Sequence, residues 1–126
     1  SIYFRALSIA QNSILTNPIG WGLNRYDQAF DYFNKKYPEK NDFLYSYNSK
    51  DGTNNFVKII VEFGLFGFLF YIFVFIFTIS KKIPIELKIF YIPFIVTQSI
   101  RATGYFGGGF ALIVLLMFFS YIKHRR

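Results

Sequence analysis

The longest unbroken apolar run covers residues 63–80, 18 positions without a charge that include seven Phe together with Leu65, Leu69, Ile72, Val74, Ile76 and Ile79. Each such side chain favours transfer into a bilayer by roughly 0.3 to 0.6 kcal/mol, so together they supply about 4 to 8 kcal/mol. The run predicts a transmembrane helix, extendable toward Val57 to reach the ~20 residues that cross a ~30 Å hydrocarbon core. A second run, residues 102–122, is uncharged over 21 positions; Gly107-Gly108-Gly109 reads as loop, and Phe110 to Ile122 as a span. Between the two, Ile89 to Ile100 is apolar over only 12 residues, about 18 Å of helix and too short to cross alone. Adding residues 83–88 makes it long enough, with Glu86 and Lys88 near the membrane surface and Pro93 kinking the helix.

Lys81, Lys82 and Lys88 lie between the apolar runs, and Lys123, Arg125 and Arg126 close the chain. Basic clusters mark cytoplasmic loops. Two such clusters on one side require an even number of passes between them, so the middle segment spans as well. The expected fold is an all-α membrane protein with about three spans, residues 59–80, 84–101 and 106–122, preceded by a large external loop, residues 1–58. In that loop Tyr3, Leu7, Ala10 and Ile14 recur at helical spacing, while Arg5, Ser8 and Asn12 share another face. This helix should stop at Asn17-Pro18. A short helix from Tyr26 to Lys35 is expected to follow, within a polar, Tyr-rich loop.

Composition agrees with this pattern. At 53% hydrophobic and 23% aromatic, with 18 Phe and 10 Tyr in 126 residues, the chain holds more apolar side chains than so small a globule buries, since only roughly two-thirds of its surface disappears on folding. A net charge of +7 would suit nucleic acid if the basic residues formed one patch, but they are spread among loops and acids. No nucleic-acid partner is expected. With no Cys and one His, neither a disulfide framework nor a His- or Cys-based metal site is available, and no cofactor is expected. His124, beside Arg125 at the basic end, reads as non-catalytic. The chain begins at Ser1 in mid-pattern and is read as a piece of a longer protein.

Common soluble-enzyme motifs (GxxxxGK[ST], HExxH, GxSxG) are missing from the sequence. What remains is one extended arrangement. Arg5 lies on an amphipathic helix; Asn17-Pro18-Ile19-Gly20-Trp21-Gly22 follows; after a polar loop come Thr53-Asn54, nine residues, and Gly64-Leu65-Phe66-Gly67. This order resembles the bacterial O-antigen polymerases (Wzy type) and O-antigen ligases, whose large periplasmic loop carries an Arg ahead of N/H-P-x-x-G-x-G and then His-Asn, nine residues and G-x-x-G. Thr53 stands where the ligases carry His, which favours the polymerase. The resemblance covers residues 5–71 and implies an inner-membrane protein with residues 1–58 periplasmic and its C-terminus cytoplasmic. It also implies a polyprenyl diphosphate-linked oligosaccharide as substrate, flippase and chain-length regulator proteins as partners, and Arg5, Thr53 and Asn54 as catalytic candidates, to which Glu62 is added from its position.

The chemistry of such a reaction points to residue types independently. A diphosphate needs a cationic cradle, and the planar, permanently charged guanidinium of Arg binds phosphate oxygens bidentately. Arg5, Arg25 and Arg101 all fall near predicted membrane boundaries on the external side. Trp21, Tyr45 and Tyr47 offer flat surfaces for sugar rings. Each has a plainer reading. An Arg beside a span serves equally as an interfacial anchor. Glu62, just inside a predicted span, is a functional candidate because a carboxylate there is costly, but snorkelling or an i,i+4 pair with Lys58 also accounts for it. Gly64 and Gly67 suit a close helix contact. An O-antigen ligase and a non-enzymatic transport or assembly subunit remain the alternatives.

Overall fold

A computed structural model of the protein describes residues 2–36, 49–50, 52, 54–101 and 109–124. Among them are five helices and no strand: α1 (Ile2–Thr16), α2 (Tyr26–Lys36), α3 (Asn55–Ile79), α4 (Ile85–Ile100) and α5 (Phe110–Lys123).

The first two helices form where the pattern expects them. In α1 the buried stripe is Ala6, Ile9, Ala10 and Ser13, turned from the expected Tyr3, Leu7, Ala10 and Ile14, of which Tyr3, Leu7 and Ile14 are only half-buried; the small residues in the buried stripe let the backbone approach its neighbours closely. The helix stops where Pro18 follows Asn17, since the residue before a proline is pushed out of the α region. In α2 the buried side chains are Tyr26, Ala29, Phe30 and Phe33, again one stripe. Asp27 in the first turn and Lys35 and Lys36 in the last complement the helix dipole.

α3 is the one described helix long and apolar enough to cross a membrane, but it is not straight. Gly64 breaks it, with φ 58° and ψ −133°, so the expected continuous helix over residues 59–80 is replaced by two arms, 55–63 and 65–79. The first arm folds back on the second: the Ile59 carbonyl stands where a Cβ on Gly67 would lie, and the Phe56 and Tyr71 rings lie edge to face at 5.1 Å.

Two cores result. Val57, Ile60 and Val61 of the first arm join Ala6, Ile9 and Ala10 of α1 and the buried stripe of α2. Ile59 joins Tyr71, Val74, Tyr91, Ile95, Phe110 and Met117 of the second arm, α4 and α5. Phe56 packs against both. The helix α4 begins after Pro84, carries Pro93 internally and ends at Arg101. Thr78 donates to Met117 Sδ, and the Tyr91 and Ser120 hydroxyls lie 3.3 Å apart, tying α3, α4 and α5 together. Outward from this second core, Phe73, Phe90 and Phe119 are each more than half exposed, with many other aliphatic side chains.

Candidate functional site

The break at Gly64 organises the candidate residues. A helix interrupted there frees carbonyls on one side and an N–H on the other, and buried backbone groups need partners. The Asn17-to-Gly22 segment supplies them. Trp21 N–H donates to Val61 O at 3.0 Å, Gly22 N–H to Glu62 O at 2.9 Å, and Leu65 N–H to Pro18 O at 2.9 Å. Asn17 closes the turn, its amide donating to Gly20 O while its own carbonyl accepts from Gly20 N–H. The approach of the two backbones leaves no room for a side chain: a Cβ on Gly20 would meet the Glu62 carbonyl, and one on Gly64 would meet the Pro18 carbonyl. Both glycines also have positive φ. The glycines singled out in the sequence are thus contact points between the two motif segments.

Glu62 is buried, and its carboxylate accepts from the backbone N–H of Asn24 (2.9 Å) and of Tyr26 (3.2 Å). It acts as a side-chain cap for the start of α2, satisfying amides that a helix N-terminus leaves orphaned and placing negative charge where the helix dipole favours it. Its burial is at odds with outward snorkelling. The Lys58 ammonium, one turn earlier on the same arm, donates to Lys50 O.

Sequence spacing puts Arg5 with Ser8 and Asn12. In the structure Asn12 donates to Ser8, whereas Arg5 turns toward α2, its guanidinium 5.4 Å from the centre of the Phe30 ring. Arg5 also acts on Tyr26. Burial pushes the Tyr26 hydroxyl well above its ordinary value, and the nearby guanidinium partly opposes the rise. A phenol whose folded-state pKa exceeds its unfolded value of 10.0 stabilises the fold fully below that pH and progressively less above it. Thermal stability should therefore fall as the pH rises past about 10, and Tyr26→Phe should flatten that fall; melting temperatures from pH 8 to 11 check this.

Trp21 is half-buried, with its ring 5.3 Å from Tyr32 and 6.0 Å from Phe33, so it packs on α2. Arg25 is exposed beside Gly22. Around the start of α2 the structure thus gathers Arg5, Trp21, Arg25 and Glu62.

A second group lies at the other end of the first arm of α3. Asn54 caps that arm, accepting from Val57 N–H at 2.8 Å. Asn55 donates from its amide to Gln98 Oε1 at 2.7 Å, and Arg101, one turn beyond Gln98, is exposed at the end of α4. Asn54 Nδ2 and Asn55 Oδ1 are buried without a hydrogen-bond partner among the described residues, and the buried Tyr71 hydroxyl lies near Ser99. Sequence reasoning passed over Asn55, Gln98 and Tyr71. The signal was present, since Thr97-Gln98-Ser99 is a polar triplet inside an apolar run, but length alone was weighed there. Thr53, Tyr45 and Tyr47 lie outside the described residues. Among the described residues no cluster of three or more His, Cys, Asp or Glu comes together to hold a metal ion.

The arrangement therefore offers two polar groups, each with an exposed arginine, at the two ends of one short buried helix. Neither a known protein family, nor a curated protein, nor a solved structure matches this chain.

Proposed function

We propose that this chain is part of a membrane-embedded glycosyl transferase of the O-antigen polymerase type, joining oligosaccharide repeat units carried on polyprenyl diphosphate. In this reading the second arm of α3, α4 and α5 cross the inner membrane, with Lys81, Lys82 and Lys123 on the cytoplasmic side and α1 and α2 toward the periplasm. The observation that carries it is the backbone pairing of the Asn17-to-Gly22 segment with the Gly64 break, because these are the two segments on which the resemblance rests. Further support comes from the first arm of α3. Its nine residues span about 13 Å at ~1.5 Å per residue, separating a group at Glu62 and Arg25 from one at Asn54 and Arg101. A reaction that joins two lipid-linked glycans needs two polar loci at once.

In the proposed step the terminal hydroxyl of one glycan attacks the anomeric carbon of the other. The bond from that carbon to the diphosphate oxygen breaks, its electron pair stays on the diphosphate, and the hydroxyl proton passes to a base not assigned among these residues. Arg25 and Arg101 stabilise the charge developing on the leaving diphosphate, which fixed cations lower in energy without reorganising. The linkage broken already carries the free energy of the reaction, so no nucleotide sugar enters.

The purified full-length protein, given lipid-linked repeat units, should produce a ladder of chain lengths. Arg25→Ala and Arg101→Ala should each slow the ladder roughly a hundred- to a thousandfold, equivalent to about 2.7 to 4 kcal/mol at the developing anion. Unchanged ladders at normal protein levels would leave both as anchors. Transfer of finished glycan to lipid A-core without a ladder would replace the polymerase reading by the ligase.

A further inference from the structure

If the helices α3, α4 and α5 cross a membrane, their described lengths do not fill it. The second arm of α3, the 16 residues of α4 and the 14 residues of α5 measure about 21 to 24 Å at ~1.5 Å per residue, against a hydrocarbon core of ~30 Å. Their lower ends are marked by Lys81, Lys82, Lys88 and Lys123. The shortfall of about 6 to 9 Å then falls at the opposite end, where the Gly64 break sits. Resting on that break is the turn after α1, tied to it by the bond from Leu65 N–H to Pro18 O.

From this we infer that the turn between α1 and α2 is itself embedded in the outer leaflet, its tip facing lipid chains. The side chains fit. Leu15, Ile19 and Leu23 are 74%, 74% and 57% exposed, Pro18 beside them is exposed, and Leu65 and Phe66 carry the apolar surface on into the bundle. Residues 6–24 include no charge at all, and Arg5 and Arg25 bracket them, the placement expected of cations at a headgroup boundary. Two polar side chains beside the tip are satisfied locally, Thr16 Oγ1 donating to Asn12 O and the Asn17 amide to Gly20 O. The occupant is therefore the acyl-chain region of the bilayer, continuous with the lipid around the bundle. This places part of the segment 1–58 within the membrane and not above it, and sets Arg25 at the depth of a lipid-borne diphosphate.

The inference rests on the membrane reading above, and the test separates the two. Single cysteines are placed at Ile19, Leu23, Asp31 and Phe73 of the full-length protein with other cysteines removed. All four sites are exposed and outside the two buried cores, so the substitutions leave those cores intact. The proteins are reconstituted in phosphatidylglycerol–phosphatidylethanolamine vesicles and labelled with an environment-sensitive fluorophore. Labels at Ile19 and Leu23 should be blue-shifted, quenched by lipids with a shallow nitroxide, and severalfold less quenched by iodide than the label at Asp31. Iodide quenching at Ile19 equal to that at Asp31, with Phe73 quenched by lipid nitroxide, would overturn the embedded turn alone. Shielding of Ile19 from both quenchers would mean that protein covers the turn, and would overturn it too. Failure of Phe73 to meet lipid nitroxide would overturn the membrane reading and the embedded turn together.

Discussion

Gly64→Ala should unfold the junction between the two cores. The new Cβ would overlap the Pro18 carbonyl, and the φ and ψ at this position belong to a region that side chains strongly disfavour, at a cost of about 1 to 3 kcal/mol before any overlap is relieved. Relief means moving the Asn17-to-Gly22 segment away, which breaks its three backbone bonds to α3 at about 1 kcal/mol each. The expected loss is about 4 to 6 kcal/mol, a large part of the margin of a typical domain. Thermal unfolding of the full-length protein in detergent, followed by intrinsic Trp21 fluorescence, should show it. Leu65→Ala, one residue along and half-exposed, should shift the midpoint little. A Gly64→Ala protein as stable as wild type would mean that the break is not part of the folded state.

Glu62 gives the second large effect, and the choice of substitution separates two roles. As a cap it holds two backbone donors with a charged acceptor. Glu62→Ala leaves the Tyr26 donor buried and unpaired and removes the partner of the more exposed Asn24 donor, a cost of about 2 to 4 kcal/mol. Glu62→Gln keeps one oxygen but turns an NH2 toward the other backbone N–H, so about 1 to 3 kcal/mol should be lost. Denaturant midpoints of the two variants should therefore fall in the order wild type, Gln, Ala. A carboxylate that took up the substrate's proton would behave differently: the Gln variant would unfold with wild type and fail only in turnover.

Much of the fold was legible in the sequence because its signals are periodic. The spacing of Tyr3, Leu7, Ala10 and Ile14 announces α1, although the stripe it buries is turned to Ala6, Ile9, Ala10 and Ser13; the stop at Pro18 follows from local sterics, and the Tyr26-to-Lys35 helix differs from the structure by one residue at its end. The Gly64 break was not legible as a break. Seventeen other residues of the 63–80 run are uncharged and mostly apolar, and hydropathy reads composition without direction, so it returns the same answer for a straight helix and for two arms folded together. A glycine in such a run suits close packing or a reversal equally; what decides is the partner, here the Pro18-to-Gly22 backbone far away in sequence.

The candidate site divides the same way. Asn54 at the start of a helix could be placed from its spacing to the apolar run. The cap that Glu62 forms on α2 could not, because it joins residues 36 and 38 apart in sequence and nothing in the local pattern around Asn24 or Tyr26 announces an absent side-chain cap. Arg5 was assigned to a polar face by helical arithmetic alone, yet an arginine stem is long enough to leave the direction of its own Cα and lie over a neighbouring ring, as it does on Phe30.

The first arm of α3 is fixed at both ends, at Asn54 by its cap and at Glu62 by the amides of α2. A helix turns about 100° for each residue. Inserting or deleting a single residue among positions 56–60 would leave every apolar side chain available in kind, but would swing Glu62 about a quarter-turn or more away from Asn24 and Tyr26 and bring an aliphatic neighbour to face their N–H groups. The interval between Asn54 and Gly64 is in this sense a phase setting, and the number of residues in it constrains the site as firmly as any single side chain.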